Sequence, residues 1–409
     1  MKRVLGLALG ILTAIGGFVD IGDIVTSALV GARFGVALAW AVVVGVVGIC
    51  LFAEMSGRVA AVSGRATFDL VRERLGPRAG AANLVGSLLV TGLTLSAEIG
   101  GIALALQLAS DVHYLLWVPV AALAVSAVLW RVRFSVMENV FGLLGLTTIV
   151  FAVAVWQLGP DWGALIGDAL RPVVPEGEST ATYLYYAVAL FGAAMTPYEV
   201  FFFSSGGVEE RWTTKDLRTM RANVLLGFPL GGLLSLSIMA CAAIVLLPAG
   251  IEVDSLGQAA LPVALALGKI GLALAIVAFF ATTFGAALET ALSVGYATAQ
   301  FFGWQWGKYV EQSRAARFHL VVLLAVLAGT AIVLTTVDPI LVTEYSVVFS
   351  AVALPLTYFP ILVIANDRDY MGQHINGRIR NAVATGYLLL IGAVALLTIP
   401  LMIVTRGGQ

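Results

Sequence analysis

Asp20-Ile21-Gly22-Asp23 breaks an apolar run that extends from about residue 5 to about residue 31, and Thr196-Pro197-Tyr198-Glu199 breaks another from about residue 181 to about residue 206. A bilayer core takes about 20 consecutive apolar residues per helix, so each run reads as a transmembrane span with acids near its middle. An Asp at the centre of a span costs at least about 2.5 to 3.5 kcal/mol on insertion scales, and such residues mark pathways or sites. Gly22 and Pro197 both weaken the helix, and a proline frees a carbonyl upstream of it. Freed backbone groups persist at that depth only where they line a cavity or bind something. Ordinary kinks would not need three carboxylates. The broken spans are the first and the sixth, in matching positions of two halves, which points to a midplane binding site in an inverted-repeat transporter.

The rest of the chain supports a membrane bundle. Of its 409 residues, 60% are hydrophobic and 11% charged, against about 25% charged in an ordinary soluble domain. Reading for apolar runs gives about eleven spans, near residues 5–31, 35–57, 82–108, 114–130, 136–157, 181–206, 222–247, 270–302, 318–336, 340–365 and 381–404. Runs of this length exclude a barrel, whose strands are about 10 residues long. The expected fold is all-α, a single transporter domain with repeat one over about 5–157, repeat two over about 181–365 and an added helix at about 381–404. Met1-Lys2-Arg3 before an apolar run imitates a signal peptide, but the run continues beyond Asp20, so a first span fits better. With the N-terminus cytoplasmic, 19 of the 23 Lys and Arg residues fall on that side, as the positive-inside bias requires. The expectation is a multi-pass protein of the cell membrane with an external C-terminus.

The near-neutral charge, formally −1, gives no reason to expect nucleic acid as a partner. Cys50 and Cys241 lie within apolar runs and suggest neither a disulfide nor a metal site. Nothing calls for catalysis or a resident cofactor, and a monomer suffices. Glu54 and Arg58, spaced i, i+4, are expected to pair across one turn, and Glu138 to pair with Arg131 or Arg133. Gly45 and Gly48 are expected to serve close helix packing.

At the breaks, Asp20, Asp23 and Glu199 offer carboxylate oxygens, Thr196 a hydroxyl, and the segment around Ala193 a carbonyl. Oxygen ligands suit Mg2+, Ca2+ or Mn2+, whereas sulfur and imidazole favour later transition metals. Met195 is the nearest sulfur. Empty, three acids in one cavity would repel one another, so a divalent cation is the expected cargo, with a small amino acid or amine as the alternative. Gly22, Tyr198, Glu98 and Glu289 are expected to line the pathway or support the site.

Taken in order, these segments resemble the NRAMP family of divalent metal transporters. Asp20-Ile21-Gly22-Asp23 resembles its D-P-G-N, and Ala32-Arg33-Phe34-Gly35 with Trp40 resembles its A-x-F-G and W. Ala97-Glu98-Ile99-Gly100-Gly101 resembles A-E-V-I-G, Gly295-Tyr296-Ala297 with Gln300-Phe301 resembles the span-8 pattern, and Thr196-Pro197-Tyr198-Glu199 stands where the family has M-P-H-N. The resemblance implies a LeuT-like fold of two inverted five-helix repeats, with Asp20 as a metal ligand and the Ala193 carbonyl as another. Three positions depart: Asp23 replaces an asparagine, Thr196 the methionine, and Glu199 the second asparagine. Without the thioether, the set is similar to the divergent NRAMP-related magnesium transporters, so Mg2+ is the expected ion, with Mn2+ second. Tyr198, Phe203 and Leu95 stand where proton-coupled members carry histidines and an aspartate. That implies weak or absent proton coupling, against the alternative of an ordinary proton-coupled Mn2+/Fe2+ transporter.

Overall fold

The computed structural model describes residues 18–132, 134–335 and 338–408. Among them there are helices and no strands. Ten helices are long and apolar enough to cross a membrane. The first span adds its second half, α1 (Ile21–Phe34), while its expected beginning lies outside the described residues. The expected eleven spans are thus met by ten whole ones and one half.

The break in span 1 falls slightly before the expected tetrapeptide. Phe18 is still helical, Val19 and Asp20 are not, and Ile21 to Asp23 already form the first turn of α1. The Asp20 carboxylate drives this: its Oδ1 accepts from the Asp23 backbone N–H at 2.8 Å. An N-cap aspartate satisfies one of the four orphan donors that every helix start presents.

Span 2 is α2 (Ala39–Ser63), followed by a short helix α3 (Thr67–Leu75), and span 3 is α4 (Pro77–Ser110). Span 4 is α5 (Tyr114–Arg131), and span 5 is α6 (Phe134–Gly145) continued through a 3-10 turn into α7 (Ile149–Leu158). The connector between spans 5 and 6, residues 159–179, is not wholly extended. Asp161 caps a short helix, α8 (Trp162–Ala169), by accepting from the N–H groups of Gly163 and Ala164.

Span 6 divides into α9 (Thr180–Ala194) and α10 (Pro197–Glu209). Proline explains the restart. It has no N–H to satisfy at the first helical position and its φ is already helical, whereas its ring disfavours a helical residue before it. Thr196 accordingly sits at φ −58°, ψ 117°. Beyond it come α11 (Leu217–Ala249), α12 (Leu256–Phe302), α13 (Ala316–Leu334), α14 (Pro339–Ala365), a short α15 (Arg368–Met371) and α16 (Arg378–Val404).

Burial sorts these helices. The broken span 6 is the most enclosed, with 94% of its apolar window inside the protein, and α16 the least, with 17%. Broken backbone is therefore kept away from lipid, as unsatisfied polar groups require. Around it α11 packs on α1, α10 on α2, α14 on α9, and both α12 and α14 on α4.

Gly45 and Gly48 serve close packing, as expected. A Cβ on Gly45 would stand 2.5 Å from the Ala194 Cβ, and one on Gly48 would stand 2.7 Å from the Met195 Sδ. Span 2 thus presses against the break of span 6. Glu54 and Arg58 pair at 3.3 Å. The expected Glu138 pairing lies outside the described residues, since neither that side chain nor Arg133 is among them. Arg33, in the last turn of α1, pairs with Glu178 of the connector between spans 5 and 6 at 2.7 Å.

Candidate functional site

The two breaks meet at one small enclosed cavity. Its walls carry Asp20, Ile21 and Gly22 from span 1, Gly192, Ala193 and Thr196 from span 6, Thr94, Ala97 and Glu98 from α4, and Thr343, Ser346, Val347 and Ser350 from α14. Its free volume is about 10 Å³, about what one water-sized guest needs.

Each polar group has a local reason for its place. The Asp20 carboxylate is buried, 4% exposed, and spends Oδ1 on the Asp23 N–H. Glu98 is wholly buried; its Oε1 accepts from the Ile21 N–H at 3.2 Å, and its Oε2 has no hydrogen-bond partner among the described residues. It therefore fastens the restart of span 1 to span 3. Glu98 is thus a hydrogen-bonded interior acid that also borders the cavity. The Thr196 hydroxyl donates to the Ala193 carbonyl at 2.8 Å. Ala193 lies in the last turn of α9, where carbonyls have no helical partner and the helix dipole is negative. A carbonyl has two lone pairs, so this one retains capacity for a cation.

Gly22 matters for its lack of a side chain. A Cβ there would stand 2.7 Å from Val347 Cγ2 and 3.1 Å from Asp20 Oδ1. Gly22→Ala would have to push α14 outward or turn the Asp20 carboxylate. The metal-binding role that the sequence resemblance implies predicts that divalent uptake in proteoliposomes falls about tenfold in this variant, the lower end for displaced supporting groups around a metal, with an unchanged size-exclusion profile.

The remaining expected site residues point elsewhere. Asp23, in the first turn of α1, accepts from the Ser235 hydroxyl on α11. Glu199, in the first turn of α10, shares a hydrogen bond with Glu289 of α12. Tyr198 is buried beside it. None of these four lines the cavity, and among the described residues no three acidic, thiol or imidazole side chains converge as a metal cluster. The reason is geometric. A capping aspartate folds back over its helix start, while Asp23 and Glu199, already helical, project sideways towards neighbouring spans.

The sequence reading missed Thr94, Thr343, Ser346 and Ser350. Thr94 and Ser346 hydroxyls meet at 2.9 Å, while Thr343 and Ser350 donate to carbonyls one turn back on α14. Hydroxyls bonded to their own helix are common in apolar helices, so nothing in the sequence separates these from structural ones. Met195 is turned away: its Sδ and Cε lie against Gly48 of span 2, and it is absent from the cavity wall. All donors at the cavity are oxygen atoms.

Comparison with known proteins bears on the whole chain. The family described as natural resistance-associated macrophage protein-like, Nramp, matches residues 10–401. The chain belongs to the Nramp family. Its Nramp relatives include the "Divalent metal cation transporter MntH 1" of Pseudomonas aeruginosa, 27% identical over 96% of this chain and 90% of that protein. Another is the MntH of Chromohalobacter salexigens, 24% identical over 92% and 86%. The crystal structure of the Eremococcus coleocola manganese transporter with an aromatic bis-isothiourea compound superposes with a TM-score of 0.69 at 19% identity, covering 97% of this chain and 85% of that one. A nucleobase-cation-symport-1 transporter, Mhp1, superposes at 0.62. The Nramp fold here is thus LeuT-like, with spans 1 and 6 broken.

Proposed function

We propose that this protein imports divalent metal cations across the cell membrane by alternating access, with Mg2+ as the main ion and Mn2+ as a second. Asp20, the Ala193 carbonyl and Thr196 hold the ion, with the hydroxyls of Thr94, Thr343, Ser346 and Ser350 around it. The observation that carries this reading is the donor set: a carboxylate, a carbonyl and hydroxyls, with the one nearby thioether turned outward. Mg2+ binds through few protein oxygens and keeps several waters, and hydroxyls are suitable partners for such waters. The relatives named for divalent metal transport support the cargo class.

The driving force in this reading is the membrane potential, worth about 4.6 kcal/mol per 100 mV for two charges. On the charge bias of the loops, the N-terminus is cytoplasmic and the C-terminus external. A partly hydrated ion and an amino acid would both need the cavity to open, so size does not separate them; against the amino acid, no basic group at the cavity wall stands ready for a carboxylate.

Proteoliposome uptake tests this. Mg2+ and Mn2+ should both enter and compete with each other. Saturable amino acid flux without divalent flux would end the proposal.

A second reading, proton-coupled transport, is favoured by the contact between Glu199 and Glu289. A carboxylate only accepts, so two carboxyls that share a hydrogen bond hold at least one proton. Our expectation is that the proton stays there during transport. A pH-sensitive dye inside the vesicles should show no acidification as Mg2+ enters; acidification that tracks metal entry would favour the second reading.

A further inference from the structure

Far from the broken spans, Glu54 on α2 gathers three arginines: Arg58 at 3.3 Å, Arg221 of α11 at 2.8 Å and Arg380 of α16 at 3.1 Å. Arg58, Arg221, Arg380 and Arg378 line an open cavity of about 730 Å³ together with residues 373–375 and 377. Three of these guanidinium groups share one carboxylate and that of Arg378 has none among the described residues, leaving three positive charges in excess. Arg58 is buried and directs its other donors to the His374 carbonyl and Asn376. Arg221 and Arg380 keep 41% and 36% of their side chains exposed, and Arg378 has no carboxylate partner among the described residues.

α16 also begins at this wall. Its N-cap is Gly377, which offers no side-chain acceptor, so the first N–H groups of a 27-residue helix add to the donors. Guanidinium forks and helix-start N–H groups together match phosphate oxygens. The general bias of basic residues to one face accounts for the side of the membrane, but not for four arginines converging in a concavity around a single acid.

The apolar surroundings indicate how the phosphate is presented. Ile379, which lines the cavity, is 83% exposed, and Leu389 and Leu396 further along α16 are 72% and 79% exposed. A soluble anion would gain nothing from these apolar side chains, whereas acyl chains lying along Leu389 and Leu396, which share a face of α16 with Arg378 at 3.6 residues per turn, set a headgroup at the level of Arg378. We propose that this cavity binds the phosphate of an anionic phospholipid whose acyl chains lie along the outer face of α16.

Native mass spectrometry of the delipidated full chain, titrated with phosphatidylglycerol or phosphatidylcholine, tests it. Wild-type protein should retain phosphatidylglycerol preferentially. Arg378→Gln should weaken that retention roughly fivefold, the usual effect of one basic residue at a lipid surface, and Arg378→Lys should largely restore it. Arg314→Gln removes the same charge from an exposed loop position and should change nothing. Equal loss in Arg314→Gln and Arg378→Gln would reduce the effect to diffuse charge and overturn the site. No preference for the anionic lipid would overturn it too. Displacement of the lipid by millimolar inorganic phosphate would assign the cavity to a soluble anion and overturn the lipid source.

Discussion

Asp20→Ala should reduce Mg2+ and Mn2+ uptake in proteoliposomes by up to about a hundredfold. The Asp20 carboxylate is the charged group of the span 1 break at the cavity, and losing a charged ligand oxygen from a buried site costs up to about 3 kcal/mol, about a factor of 100 in affinity. The side chain has a second task, capping α1 through the Asp23 N–H, worth about 1 kcal/mol. Asp20→Asn separates the two. Asparagine caps as well as aspartate, so the variant should fold normally and still lose transport. Recovery of uptake in Asp20→Asn would mean that the cap, not the charge, is what transport needs.

Gly31→Val should deplete folded protein more than any substitution at the cavity wall. A Cβ on Gly31 would stand 2.2 Å from the Met239 carbonyl oxygen and 2.8 Å from the Ala242 Cβ. Overpacking costs about 1 to 3 kcal/mol where side chains can yield. At Gly31 the obstacle is the backbone of α11, so we expect the upper end of that range or more, read as loss of the monodisperse peak in mild detergent. Gly386→Ala is the control. It has nothing within 4 Å, and exchanging a mid-helix glycine for alanine favours the helix by up to about 1 kcal/mol. Equal behaviour of the two variants would contradict the close approach of α1 and α11.

The broken spans were legible because they depend on local chemistry. Pro197 suits the first position of a helix, and the Asp20 carboxylate caps the helix that follows it. Close packing of span 2 was legible at Gly45 and Gly48 because only a missing side chain allows it, but that its neighbour there is span 6 was not. What could not be read was direction. Asp20 and Asp23 are three residues apart and equally acidic, yet one folds over a helix start towards the cavity while the other meets Ser235 on α11, more than 200 positions away. The same applies to Glu199 and Glu289, and to Glu54, whose partners Arg221 and Arg380 come from distant helices. The hydroxyls on α4 and α14 gave no signal, since their bonds to their own helices resemble those of any apolar span.

The most direct measurement is anomalous diffraction from crystals soaked in Mn2+, collected at the manganese edge. Oxygen ligands lie about 2.0 to 2.6 Å from hard divalent cations, so we predict a single strong peak at that distance from the Asp20 carboxylate and the Ala193 carbonyl, beside Thr196. A peak between Glu199 and Glu289, or beside Asp23 and Ser235, with none at Asp20 would contradict the assignment of the ion to this cavity.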